Sequence, residues 1–578
     1  MSDGYWNKVL EGRVSRRRAI GATGAFTAAA ALLAACGGDG GDEKETTAPT
    51  QPAGALDPTK GIAGGKLVWQ GYGDIGGNLD LISVPEYGLR QFSGLTHEGL
   101  LEIRAGTPAF PTTDKGLQPL LAAAMPEISP DKLTYTFKLR DSKFHDGKPV
   151  TATDVKWSYD TYANGAKSPW KAQFLGWFGK VEAPDPKTVV FTTNFPFADA
   201  QQYFAAGEGI NGFGDILSQA FQEGPDANKK LMGSGPYLFD SYSPPTIAKF
   251  KRNPDYHLKP YPYFDSIDRT GDADNEKKIA DLIGKNVHFT YWFGESDRDR
   301  IKKARPDLQT WVLDAAAGRI TMRTDLAPWK DVRVRQALSM AMDRKASITA
   351  TTKGEGKPDQ FLSWTGKYWG FREPKDLGVN AKYWDLNLTE AKALLSAAGV
   401  TLPIKAKAYH WNPTVIGPDW VQQFTLIKSG WKNAGVADIE SVEQTHPQLE
   451  AGAFLGNYDS MTWFPNVVAG QGQMGLNLKL FLSWPGPVKA PPTLNNGYVD
   501  DPALNLLLDK QLSQFVKEER VATLRQIEDI LAAQQYHIIN HTWTNNWFAD
   551  PTLKNAQPHQ EAYQGALPQM KYWWFGKA

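Results

Sequence analysis

Cysteine is all but absent from this chain. Cys36 is the single thiol in 578 residues, which excludes an intrachain disulfide and a cysteine-rich zinc site. Histidine numbers 9, and no cluster of it points to a metal, so neither metal nor cofactor is expected. Neither sign of charge prevails: 63 Lys and Arg balance 63 Asp and Glu, with a pI near 7.1. That balance removes the basic footprint on which nucleic-acid binding rests. The uncharged stretch 19–35 is rich in Ala and short for a membrane span. Gly-x-Ser-x-Gly, His-Glu-x-x-His and a Walker loop are all missing. Carboxylate pairs drawn from distant positions leave glycoside cleavage open, so a secreted carbohydrate-active enzyme stays as an alternative of a different class.

What is present is a large globular chain. At 41% hydrophobic and 22% charged, 578 residues can build two or three cores. Twenty tryptophans supply much flat apolar surface. Most belong in cores, but so many also suit an aromatic-lined cavity.

The N-terminus combines Arg13, Arg16, Arg17 and Arg18 with the uncharged run and small residues, the layout of an export signal. Ser15-Arg16-Arg17-Arg18-Ala19-Ile20 resembles a twin-arginine motif, with Ala19 where an aromatic is usual. Leu33-Ala34-Ala35-Cys36 resembles a lipobox, which makes Cys36 the expected lipid-attachment site and first mature residue. Residues 36–65 have little apolar surface to bury and read as a flexible linker.

Segment 131–162 shows how the body is built. Leu133, Tyr135, Phe137 and Leu139 alternate with polar residues as a half-buried strand does. Asp146-Gly147 turns the chain, and Thr151 with Asp154 has capping-box spacing before a helical stripe of Val155, Ser158, Tyr159 and Tyr162. A hairpin is expected over 181–191, turning at Pro184-Asp185-Pro186. Helices are expected over 96–103, over 331–345 with Val334, Ala337, Leu338, Ala341 and Met342 inward, and over 385–400 with Thr389 as cap. Two more should follow, one opened by Asp501-Pro502 and one from Lys517. Gly233-Ser234-Gly235 reads as a turn into a strand, since no Gly-Lys-Ser/Thr follows. Asp268, Asp272 and Asp274 read as a solvated loop.

Phe137-Lys138-Leu139-Arg140, Phe144-His145-Asp146-Gly147 and Thr151-Ala152-Thr153-Asp154-Val155 follow one another within that first segment. Together they resemble the signature of extracellular solute-binding proteins of family 5, the oligopeptide-, dipeptide- and nickel-binding components of ABC importers. Gly233-Ser234-Gly235-Pro236-Tyr237, Lys251-Arg252-Asn253-Pro254-Asp255-Tyr256 and the helix opening Asp331-Val332-Arg333-Val334-Arg335 are similar to further landmarks of that family. The resemblance implies an α/β fold of the periplasmic-binding-protein type II (cluster C): two lobes with mixed sheets joined by a hinge, the larger with an extra subdomain. It places an export signal at 1–35, the linker at 36–65, lobe I at 66–312 with the subdomain at about 96–224, lobe II at 313–535, and a return to lobe I over 536–578. It also implies a non-enzymatic, monomeric receptor on the outer face of the cytoplasmic membrane, handing a peptide or other polar solute to permease subunits.

In the family's peptide-binding members, a Trp near a strand end is followed three residues later by an Asp that pairs with the peptide amine. Here Trp463 fits the first place and Asn466 stands at the second, which removes the charge a buried ammonium needs. The expected ligand-lining residues are Trp463, Phe464, Asn466, Trp170, Tyr72, Trp364, Trp411 and Trp484, with Tyr368 and Trp369 beside them. Such rings also stack on sugar faces, so oligosaccharide is the second ligand class.

Overall fold

The computed structural model describes residues 58–577 apart from 73–76, 85–86, 104–116, 206–212, 245, 273, 364–368, 413–417, 467–473, 484–494 and 557–566. The export signal, Cys36 and most of the linker lie outside the described residues, as do Trp364, Tyr368, Trp484 and the side chain of Tyr72.

A ten-stranded mixed sheet organises the body. Its order is Ala437–Gln444, Ile404–Trp411, Met461–Pro465, Gln309–Met322, His537–Ala549, Phe289–Phe293, Lys66–Tyr72, Ser266–Asp272, Ile247–Arg252, Tyr237–Ser243. The two central strands are the longest, with 14 and 13 residues, and pair antiparallel from Gln309 opposite Ala549 to Thr321 opposite His537. At one end the pair is flanked by Phe289–Phe293, and at the other by Met461–Pro465 alongside Gly318 to Met322. Between those ends the register shifts twice, from Asp314 to Ala317 and from Ala317 to Arg319. Such irregularities bend and twist a ladder locally. Two lobes therefore share one strand pair, kinked where it passes from one to the other, and the larger core cluster also takes in Leu476, Leu480 and Leu512 from the second lobe.

Strand alternation assigns the cores. Ile320, Ile538, Met461 and Trp463 point into one second-lobe core with Val334, Ala337, Leu338 and Trp431. Ala317 and Ile539 point to the opposite face, under the helices Pro502–Leu512 and Lys517–Gln534. The first-lobe core gathers Trp69, Phe92, Phe289 and Trp547, and it receives Trp573 from the C-terminal tail. Trp573 lies 5.0 Å from Phe289, and Lys571 donates to Glu102 at 2.5 Å.

A second, four-stranded sheet contains Thr134–Lys138 and the hairpin Phe178–Asp185 with Thr188–Thr193. Tyr135 and Phe137 face inward, as their alternation predicts, and Phe137 meets the Phe204 ring edge-on at 5.2 Å. The helix Ala152–Asn164 starts where the capping box places it, with Thr151 N donating to Asp154 Oδ2 at 2.9 Å. Its predicted stripe is buried.

Several expectations need correction. The helix expected over 96–103 lies at Tyr87–Thr96, and Leu101–Ile103 is a strand. The segment after Asp331 is two helices, Val332–Met340 and Arg344–Thr352, because Asp343 caps a new start through Ala346 N. Asn387, not Thr389, caps Leu388–Ala397. Asp268 and Asp272 lie in a strand, and Asp274 caps the helix Asn275–Ile283 through Glu276 N. Gly233 is required by close approach, since a Cβ there would sit 2.2 Å from the Thr96 carbonyl oxygen.

Candidate binding site

The described aromatic candidates fall into separate places. Trp463 is fully buried, stacked on Trp420 at 4.8 Å and Phe424 at 5.4 Å. Its ring presses on the Gly318 backbone, so it fills the core behind the sheet. Its strand neighbour Phe464 points to the other face, as alternation requires, and packs with Trp411 at 5.5 Å and Phe454 at 4.7 Å. Asn466 follows the strand end. Its N–H donates to Ala317 O at 2.8 Å and its Nδ2 to Phe361 O at 2.9 Å, while its buried Oδ1 has no partner. Trp170 is in the first lobe, its ring 5.1 Å from the Arg90 guanidinium and 6.1 Å from Phe213. Trp369 lies 4.9 Å from the Arg520 guanidinium. Trp411, Phe464 and Asn466 thus form one second-lobe group that excludes Trp463 and Trp170.

Two residues not anticipated from sequence belong with that group. Arg319 sits opposite Phe464 in the ladder and on the same face, only 3% exposed. Its guanidinium lies 5.1 Å from the Phe481 ring and 5.9 Å from the Phe361 ring, and neither Nε nor Nη1 meets an acceptor. Burial lowers its pKa to about 10, opposed by Tyr458, so it stays charged at neutral pH. His537 shares the face and stacks on Phe361 at 4.5 Å. Its Nδ1 is 3.0 Å from Thr321 Oγ1, and its Nε2 has no partner. Burial, helped by Arg319 and Arg335, holds its pKa well below the usual histidine range, so the ring is neutral. One sequence signal marked Arg319: it is the lone charge in the run Ala315 to Met322.

The first lobe has its own buried charges. Arg90 Nη2 donates to Leu81 O and Val84 O at 2.9 Å, and Nη1 is 4.0 Å from Asp215. Burial raises the Asp215 pKa and lowers that of Arg90. Among the described residues no group of His, Cys, Asp and Glu is placed to hold a metal, and no helix is long and apolar enough to cross a membrane. An open depression of about 330 Å³ near Phe144, Asp154 and Ser218 lies on the four-stranded side, away from the Arg319 group.

Known proteins match this architecture. A Brucella ovis protein provisionally named an ABC transporter peptide-binding protein is 30% identical over 237 residues, 40% of this chain and 44% of its own length. The match thus spans less than half of that relative. Protein XP55 of Streptomyces lividans is 27% identical over 457 residues, 74% of this chain and 77% of that protein. Among solved structures, the periplasmic binding protein DppA from Helicobacter pylori, in complex with the peptide STSA, superposes with a TM-score of 0.74 at 20% identity, covering 89% of this chain and 99% of that one. AgaA from A. tumefacien R10, in complex with agropinic acid, gives a TM-score of 0.74 at 23% identity with the same coverage. Both share the two-lobed fold. Residues 116–478, well over half of the chain, match the middle portion of one family, and the chain belongs to the bacterial extracellular solute-binding proteins, family 5.

Proposed function

We propose that this chain is the solute receptor of an ABC importer, anchored through Cys36 on the outer face of the cytoplasmic membrane. It captures a peptide or similar polar solute between its lobes and delivers it unchanged to the permease. The observation that carries this reading is the shared strand pair: Gln309–Met322 and His537–Ala549 run through both lobes, and the register shifts between them suit closure by hinge motion. Ligand binding then need only favour the closed form through contacts made in it alone. Lobe I comprises 66–312, including the subdomain at about 96–224, and lobe II comprises 313–535, with 536–578 returning to lobe I. The boundary near Val312 falls inside one strand, so the chain passes between lobes without a loop. Trp411, Phe464 and Asn466 line the second-lobe side.

Native mass spectrometry of protein purified from its own host tests this reading. A solute bound at one equivalent and released intact supports it; a solute recovered cleaved overturns it. For the anchor, Cys36→Ser is expected to move the protein from the membrane fraction to the soluble fraction, and retention on membranes refutes the tether.

A further inference from the structure

A buried guanidinium without an acceptor is a costly thing for a folded chain to keep. Other buried arginines of the second lobe avoid that cost. Arg335 donates to Trp329 O at 2.7 Å, Gln534 O at 2.9 Å and Lys330 O at 3.0 Å. Arg344 donates to Ile539 O at 2.9 Å and Ser339 O at 3.0 Å. Arg520 is paired with Asp199. Arg319 has neither carbonyls nor a carboxylate at Nε and Nη1, and the groups around it are unsatisfied too. His537 Nε2 and Asn466 Oδ1 have no partner, and both residues touch Phe361, over whose ring the guanidinium lies.

We infer that Arg319 anchors a carboxylate of the captured solute, so that the receptor takes carboxylate-bearing solutes; this rests on the receptor reading above. A carboxylate beside the guanidinium accepts from Nη2 together with either Nε or Nη1, the fork geometry that suits Arg. His537, with its proton on Nε2, supplies a further donor. Asn466 Oδ1 accepts from an amine or amide N–H on the same solute. The aromatic flanks hold the cation while the site is empty. Neutral analogues are rejected because they leave the charge unpaired.

Two measurements test this. First, unfolding of ligand-stripped protein: Arg319→Met should raise the midpoint temperature, since it removes an unpaired buried charge and keeps the volume. A lowered midpoint means that Arg319 serves packing, and overturns the inference. Second, tryptophan-fluorescence titration with pooled tetrapeptides, as free C-terminal acids and as carboxamides. The native protein should prefer the acids by at least about 10-fold, and Arg319→Gln should abolish the preference. Equal binding of the two pools, or a preference that survives Arg319→Gln, overturns the carboxylate anchor and leaves the receptor reading standing. If neither pool binds, peptide capture itself fails, and the unfolding comparison still judges Arg319.

Discussion

Arg520 and Asp199, 321 residues apart in sequence, meet in a buried bidentate ion pair, Nη1 to Oδ1 at 2.5 Å and Nη2 to Oδ2 at 2.8 Å. Gly475 N–H also donates to Asp199, and Gln511 Oε1 accepts from Arg520 Nε at 3.0 Å. Next to this pair, Ala198 N–H donates to Leu512 O at 2.8 Å. The chain beside the four-stranded sheet is thereby fastened to the helices Pro502–Leu512 and Lys517–Gln534 by charge as well as by backbone.

Removing one partner of that pair leaves the other buried and unpaired. Arg520→Ala should cost about 3–5 kcal/mol in urea unfolding, whereas the double change Asp199→Leu with Arg520→Met should recover most of it. A single variant within about 0.5 kcal/mol of the native protein would mean that water already reaches the pair.

Trp463 and Gly318 are two halves of one packing contact. A Cβ at Gly318 would lie 1.9 Å from Trp463 Cη2, so Gly318→Ala must push the indole out of its stack on Trp420 and Phe424. A loss of about 1–3 kcal/mol is expected, with a change in tryptophan emission. Trp463→Ala should cost about 3–5 kcal/mol by leaving a cavity. Loss of solute binding by that variant therefore reports on binding only at temperatures where it remains folded.

Four buried histidines, His97, His410, His537 and His541, lower stability in acid. Burial lowers the pKa of His97 to about 3 and that of His541 to about 4, and lowers His537 well below the usual value. In the unfolded chain each titrates near 6.5, so below that pH the unfolded state binds protons that the native state refuses. Stability is then full above about pH 6.5 and falls with pH toward 4, by about 1.4 kcal/mol per unit for each of His97, His537 and His541. Urea midpoints measured from pH 7 to 4.5 check this. His541→Gln should flatten the slope by one proton, and an unchanged slope would show that His541 is protonated in the fold.

The C-terminal tail is part of the first-lobe core. Trp573, against Phe289, should cost about 3–5 kcal/mol as Trp573→Ala. Limited proteolysis of the variant should cut within the first lobe sooner than in the native protein; equal rates would show that the tail packs without supporting that lobe.

Local elements were legible in the chain because their causes are local. Alternation over Thr134–Lys138, the Thr151 and Asp154 box, and the Asp501 cap each depend on residues within a few positions. Where two local signals competed, the side chain that reached the free amides prevailed: Asn387 accepts from Glu390 N in the place expected of Thr389, and Asp343 accepts from Ala346 N and starts a second helix at the end of the apolar stripe. The aromatic candidates were the least legible. Trp463 and Phe464 are adjacent and both apolar, and the pleat sends them to opposite faces of the sheet.

From the sequence by itself came most of the helix caps and the strand alternation, the single cysteine that excludes an intrachain disulfide, and the ordered strings that resemble one receptor family. Only the tertiary structure decided that the second-lobe arginines Arg335 and Arg344 are satisfied by carbonyls while Arg319 is not. The reason is physical: whether a buried charge has a partner depends on groups brought in from far along the chain, such as Phe361, Phe481 and His537 around Arg319, and no short stretch of sequence contains them.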